Sequence, residues 1–217
     1  MRIPFVRIIL ITCFCLGSAL MATQQIKNIN SLEANTPPMD QIVDQRDGKE
    51  YTFLKLGELY WLKENLNYET LKSECYEARP ENCAKYGRLY SFDDSKIACP
   101  QGWKLPTVSQ WKSLRKSMKS AKADKIIVPG EWQGEEFENA TNELELSVLP
   151  GGRKDEHGPA STADKFTQMG ISSSYWLDHQ AYHWHIRWGK SHIHKHGDIS
   201  LQGRKFYIRC VCETLPE

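Results

Sequence analysis

Apolar and polar residues alternate over Tyr51-Thr52-Phe53-Leu54-Lys55-Leu56 and again over Leu59-Tyr60-Trp61-Leu62. A period of two is the pattern of a half-buried strand. Ile42-Val43-Asp44 precedes them, with turns at Asp47-Gly48 and Gly57-Glu58, so the pattern predicts a three-stranded meander. Tyr86-Gly87-Arg88-Leu89-Tyr90 reads as a further short strand. The period then changes. Ser91 to Ala98 predicts a helix with Phe92, Ile97 and Ala98 as its apolar positions. Cys99-Pro100-Gln101-Gly102 ends it, because proline cannot extend a helix and glycine accepts unusual dihedrals. Trp103 and Leu105 form a short buried extended piece, and Thr107 with Gln110 matches a capping box. A second helix follows from Val108 to Met118, extending as far as Ala123, held to the core by Trp111 and Leu114.

Residues 129–173 lack periodicity and read as an ordered long loop, a length that usually carries function. The C-terminal third is β. Ser174-Tyr175-Trp176-Leu177 opens it. Tyr182 to Trp188 and Ser191 to Gly197 flank Gly189-Lys190, a two-residue connection with glycine first, as a type II′ hairpin prefers. Lys205 to Val211 forms the last strand.

Arg2 and Arg7 precede an apolar run from Ile8 to Ala22, with small residues at Gly17, Ser18, Ala19 and Ala22. This matches a secretory signal peptide over residues 1–22, cleaved after Ala22 or Ala19. A lipoprotein signal would use Cys13 or Cys15, and Thr12 and Phe14 are poor residues to precede one. Residues 23–39 are polar, end in Pro37-Pro38 and read as a flexible leader. The expected compartment is therefore extracellular or the cell envelope, with no membrane span in the mature chain. Export makes the remaining cysteines disulfide candidates. Cys75 and Cys83 flank a Pro/Asn/Glu-rich loop and staple it; Cys99 with Cys210 would close a loop of about 110 residues. Cys212 lies two residues from Cys210 on the same strand face. It is free, pairs between molecules, or competes for Cys99. The chain has 217 residues and a formal net charge of +1, which fits one domain and gives no electrostatic case for nucleic acid.

A set of separated motifs carries a resemblance. They are Asp44-x-Arg46-Asp47-Gly48-x-x-Tyr51, Lys55-x-Gly57, Trp61-x-x-Glu64-Asn65-Leu66-Asn67-Tyr68 and Tyr86-Gly87-Arg88-Leu89-Tyr90. Ala98-Cys99-Pro100-x-Gly102-Trp103-x-Leu105-Pro106-Thr107, Leu149-Pro150-Gly151-Gly152-Arg153, Tyr175-Trp176 and Arg209-Cys210-Val211 continue them in order. Together they resemble the FISUMP (Fibrobacter succinogenes major paralogous) domain over about residues 40–213. The resemblance implies an α+β, C-type-lectin-like fold: two helices, small antiparallel sheets, a long binding loop, and a disulfide from the first helix to the final strand. It also implies exported surface recognition or assembly rather than a reaction. Calcium-dependent lectins carry Glu-Pro-Asn and Trp-Asn-Asp signatures. This chain has Trp176-Leu177-Asp178 and no Glu-Pro-Asn, which argues against calcium-mediated sugar binding. Formylglycine-generating enzymes share the Leu-Pro-Thr motif, but their chemistry uses a reactive cysteine pair, and here only Cys212 lacks a structural duty.

One stretch is chemically unusual. If Gly189-Lys190 is the turn, His185 opposes His194 and His183 opposes His196. Alternation then puts Tyr182, Trp184, Ile186, Trp188 and Ile193 on a core face, and His183, His185, Arg187, His192, His194 and His196 on the other, toward solvent or the long loop. Opposed imidazoles can share zinc, copper or nickel. The same pattern also fits a solvated polar face or a pH-responsive cluster. No nucleophile–base arrangement or phosphate loop is present, so the expectation is a non-catalytic binding or adhesion module for a cell-surface protein or polysaccharide. Its candidate ligand residues lie in and after the long loop: Trp132, Arg153, Asp178 and His179. The alternatives are an assembly subunit of an envelope complex and a metal-binding protein or enzyme using the histidines.

Overall fold

The computed structural model describes residues 40–119, 122–155, 165–179, 182–195 and 203–216. The expected signal peptide and leader lie outside them. No described helix is long and apolar enough to cross a membrane. In chain order the elements are β1 (Gln41–Val43), β2 (Glu50–Leu56), β3 (Leu59–Leu62), α1 (Pro80–Tyr86), α2 (Phe92–Ala98) and α3 (Val108–Met118). Then follow β4 (Arg153–Asp155), β5 (Phe166–Thr167), β6 (Ser172–Trp176), β7 (Tyr182–Arg187), β8 (Lys190–Lys195), β9 (Arg204–Lys205) and β10 (Val211–Cys212). The fold is α+β. Its sheets are antiparallel, in the orders β1-β2-β3-β10, β5-β4-β9 and β6-β7-β8.

The meander and the two expected helices form as their patterns require. At α3 the Thr107 hydroxyl accepts from Gln110 N at 3.1 Å, and Thr107 N donates to Gln110 Oε1 at 2.8 Å. Lys119 then takes a left-handed conformation (φ 54°), so the helix stops at Met118 and does not continue toward Ala123. Three expectations need correction. The Cys75–Cys83 insert holds a third helix, α1, where a loop is expected. Pro80 sits in its first turn, where no N–H is needed, and Asn65 Nδ2 donates to the Tyr86 carbonyl at its end. Leu89 and Tyr90 make single bridges to Glu74 and Phe206 rather than a strand. The last strand is split into β9 and β10, with Tyr207 between them bridging to Tyr175.

Two apolar clusters sandwich the sheets. Trp61, Trp111, Tyr175, Trp184, Ile186 and Val211 belong to one; Phe53, Leu62, Trp103, Trp176, Phe206, Cys210 and Cys212 belong to the other. Adjacent residues in a strand therefore face opposite clusters, as alternation demands. Trp111 from α3 stacks on Trp184 at 3.9 Å between ring centres, and Trp61 meets Trp111 edge-on at 4.7 Å. Aromatic pairs of this kind add about 0.5–1.5 kcal/mol beyond their burial. The long loop is ordered in its described parts: Trp132, Phe137, Leu146, Val148 and Phe166 are all buried in the first cluster.

The disulfides are Cys75–Cys83 and Cys99–Cys210, with Cα separations of 4.9 and 5.9 Å. Cys212 is free and buried; burial pushes its thiol up to about 11, so it is protonated at neutral pH. In the chain-entropy picture the 111-residue closure stabilises by about 4–5 kcal/mol and the 8-residue closure by about 2–3 kcal/mol. Urea unfolding of the paired serine variants should show that order, Cys99→Ser/Cys210→Ser losing more than Cys75→Ser/Cys83→Ser.

Burial also pushes the Tyr51 phenol up to about 12 and raises Tyr90 and Tyr207 well above the ordinary tyrosine range. Unfolded tyrosine titrates near pH ~10, so above that pH the native chain retains protons that the unfolded chain releases. Stability is therefore full below about pH 10 and falls from there toward about pH 12. Urea midpoints measured at about pH 8, 10 and 11.5 should hold between the first two and drop at the third.

Candidate functional site

The histidine hairpin folds in a different register from the one its glycine suggests. The turn residues are Trp188 and Gly189, with φ of 52° and 64°, the all-positive pattern of a type I′ turn. His183 therefore opposes His194, and His185 opposes His192. His196 lies outside the described residues. The cause is tertiary. Ala123 N donates to the Gly189 carbonyl at 2.9 Å, and a Cβ on Gly189 would come within 2.8 Å of the Glu136 carbonyl oxygen. Only glycine fits at that docked position. A two-residue shift preserves which face each side chain occupies, so Trp184 and Ile186 stay with the core cluster while His183, His185 and Arg187 take the opposite face, as alternation predicts. The exception is Trp188, which leaves the core face for the turn and is 62% exposed.

The histidine face looks onto the long loop. His183 and His185 are buried, with 3.1 Å between His183 Nε2 and His185 Nδ1, and the His183 ring packs 4.9 Å from Phe206. Strands β4 and β9 lie across from them and leave an open cleft of about 190 Å³. Arg153, Arg187 and Arg204 line it together with Asp155, so among the described residues three guanidinium groups face one carboxylate. Arg204 Nε donates to Asp155 Oδ1 at 3.0 Å, and Arg153 Nε stands 3.5 Å from Asp155 Oδ2. Arg153 Nη1 also donates to Gln168 Oε1 at 3.0 Å. Burial lowers the Arg153 guanidinium below its ordinary value; Asp155 opposes this, and Arg187 and Arg204 add to it. Arg187 Nε is buried with no hydrogen-bond partner among the described residues.

Local sequence explains how Arg153 arrives there. In Leu149-Pro150-Gly151-Gly152-Arg153, Gly151 lies flat on Tyr207: a Cβ would meet the ring at 2.6 Å, and the Tyr207 hydroxyl donates to the Gly151 carbonyl at 2.8 Å. Gly152 has a φ of 72° and sits against the Thr167 carbonyl. The glycine pair lets the loop pass close to the C-terminal segment and turn Arg153 inward.

The sequence-predicted residues are thus partly brought together. Arg153, His183 and His185 line the cleft. His192 opposes His185 in β8, with 5.5 Å between their rings. Trp132 is buried against Phe137, its Nε1 donating to the Val148 carbonyl at 3.1 Å, so its faces are not open to a ligand. Asp178 and His179 are exposed beyond the end of β6 and do not line the cleft. Among the described residues no group of three or more His, Cys, Asp or Glu side chains is placed to hold a metal ion. Asp155, within the stretch that reads from sequence only as a long loop, is buried at the centre of the arginines. Arg204 follows 156–164 and 196–202 in the chain and carries no sequence signal for this role. Arg187 was legible from strand alternation alone.

Removing the Asp155 charge leaves two largely buried guanidinium groups without their carboxylate. Asp155→Asn should lower stability by about 3 kcal/mol in urea unfolding, the range for breaking a buried pair from one side.

The model of the Fibrobacter succinogenes major domain matches residues 54–212. No curated protein and no solved structure matches the chain. The matched segment spans both disulfides, all three helices and the residues of the cleft, and the chain belongs to the Fibrobacter succinogenes major domain family.

Proposed function

We propose that the chain is an exported, non-catalytic binding module whose ligand seat is the arginine cleft, and that the group it seats is an anion. The observation that carries this is the charge count: among the described residues, three guanidinium groups and one carboxylate line the same recess, an excess of two positive charges. Guanidinium groups are weakly hydrated, planar donors that bind carboxylate, sulfate or phosphate through paired hydrogen bonds. An anion entering the cleft would gain those donors and relieve repulsion between Arg153, Arg187 and Arg204. Two disulfides support an oxidising destination. A disulfide from the end of α2 to the C-terminal strands supports a C-type-lectin-like reading of the fold, with the ligand on the side of the long loop. The buried, protonated Cys212 thiol supports binding over thiol chemistry.

Sulfate is the simplest probe. Binding to the native state alone stabilises by RT ln(1 + [L]/Kd), about 1.4 kcal/mol at tenfold excess over Kd. Sulfate also stabilises proteins generally by exclusion from their surfaces, so the comparison must be with a variant. Melting temperature in sulfate, against chloride at equal ionic strength, should rise along a saturating curve. The Arg153→Ala/Arg187→Ala variant should show only the linear, non-saturating part. An equal response in both proteins would refute the cleft as an anion seat.

A further inference from the structure

The cleft has a neighbour of different chemistry. Trp188 stands at the tip of the β7–β8 turn, 62% exposed, the most exposed aromatic side chain among the described residues. Its backbone is held left-handed (φ 52°), a conformation that asparagine or glycine adopts more readily than tryptophan. Its exposure is held in place, because Gly189 beside it is docked against the backbone of residues 123 and 136. The tip cannot swing inward to bury the ring.

Arg187 joins this ring to the cleft. Its guanidinium carbon lies 4.0 Å from the Trp188 ring centre, and the same side chain lines the cleft beside Arg153 and Arg204. A cation on one ring face leaves the exposed remainder of the indole as a flat apolar surface a few ångströms from a concentrated positive charge. A ligand matching both must pair a compact apolar face with an anion on the same small unit. Pyranose rings do this: their axial C–H groups form an apolar face, and a uronic acid or sulfated sugar adds the anion.

Resting on the proposed anion seat, we propose that the ligand is an acidic saccharide, its ring stacked on Trp188 and its carboxylate or sulfate held in the arginine cleft. The two subsites divide the work. The arginines recognise charge, and Trp188 distinguishes a sugar from a small anion of the same charge.

The test is calorimetric titration of the purified chain with four probes: tri-galacturonate, its methyl ester, a sulfated trisaccharide, and acetate. Trp188→Asn removes the ring and suits the left-handed turn, and Trp188→Phe restores an aromatic surface. Tri-galacturonate or the sulfated trisaccharide should bind more tightly than acetate, and whichever does so identifies the anion. The methyl ester, which keeps the rings and loses the charge, should not bind. Trp188→Asn should weaken the acidic saccharide by about tenfold while leaving acetate unchanged, and Trp188→Phe should recover most of the loss. Wild-type affinity for the saccharide in Trp188→Asn, or equal affinity for acetate and saccharide, would overturn the saccharide assignment and leave the anion seat standing. Failure of all acidic probes and of sulfate to bind would overturn both.

Discussion

Arg209 is a cation buried to 1% exposure with no carboxylate beside it among the described residues, and acceptors from distant parts of the domain gather around its two terminal nitrogens. Its Nη1 donates to the carbonyls of Leu62, Lys63 and Leu146, and its Nη2 donates to Asn65 Oδ1 at 2.6 Å. A buried guanidinium without such acceptors would cost several kcal/mol, so these oxygens must come to one point. They come from the end of β3, the turn after it, and the long loop. Two stretches far apart in sequence, 62–65 and the long loop at Leu146, are thereby tied to the residue before Cys210. The Cys99–Cys210 disulfide then ties the same place to the end of α2.

The consequence reaches the cleft. Arg209 holds Leu146, and two residues earlier in its own segment Tyr207 holds Gly151 through its hydroxyl. The long loop is therefore gripped at both ends of the stretch that delivers Arg153. Phe206, adjacent again, faces the opposite way and packs on His183. One short C-terminal run anchors the core, aims the loop and floors the cleft, because alternating side chains serve different layers. The described stretch of the long loop ahead of Arg153 is thereby fixed to the scaffold at Leu146 and Gly151, which sets where Arg153 meets Asp155 and the neighbouring arginines.

How much of this was legible in the sequence follows from the range of the interactions. Meander, capping box and the two longer-recognised helices depend on neighbours within a few residues, and local pattern finds them. The Cys75–Cys83 helix was missed because Pro80 and Asn82 read as loop formers, although proline in a first turn is compatible with a helix. The hairpin register was missed because a local preference placed Gly189 first in the turn. Contacts from residues 123 and 136 placed it second and forced Trp188 into an unfavourable conformation. Alternation still assigned His183, His185 and Arg187 to the face opposite the aromatic residues, since a shift of two residues conserves parity.

The cleft itself was only half visible, and the reason is electrostatic. With 28 basic and 27 acidic residues the chain has almost no net charge, so composition gives no hint of a cationic site. Local charge is made by pairing the acids elsewhere. Glu74, for example, engages both Lys154 and Lys205, the neighbours of Arg153 and Arg204 on the other side of β4 and β9. Strand alternation sends the lysines to that carboxylate and the arginines to the cleft. Two short paired strands thus separate charges that are adjacent in sequence, concentrating guanidinium groups on one side of a nearly neutral protein.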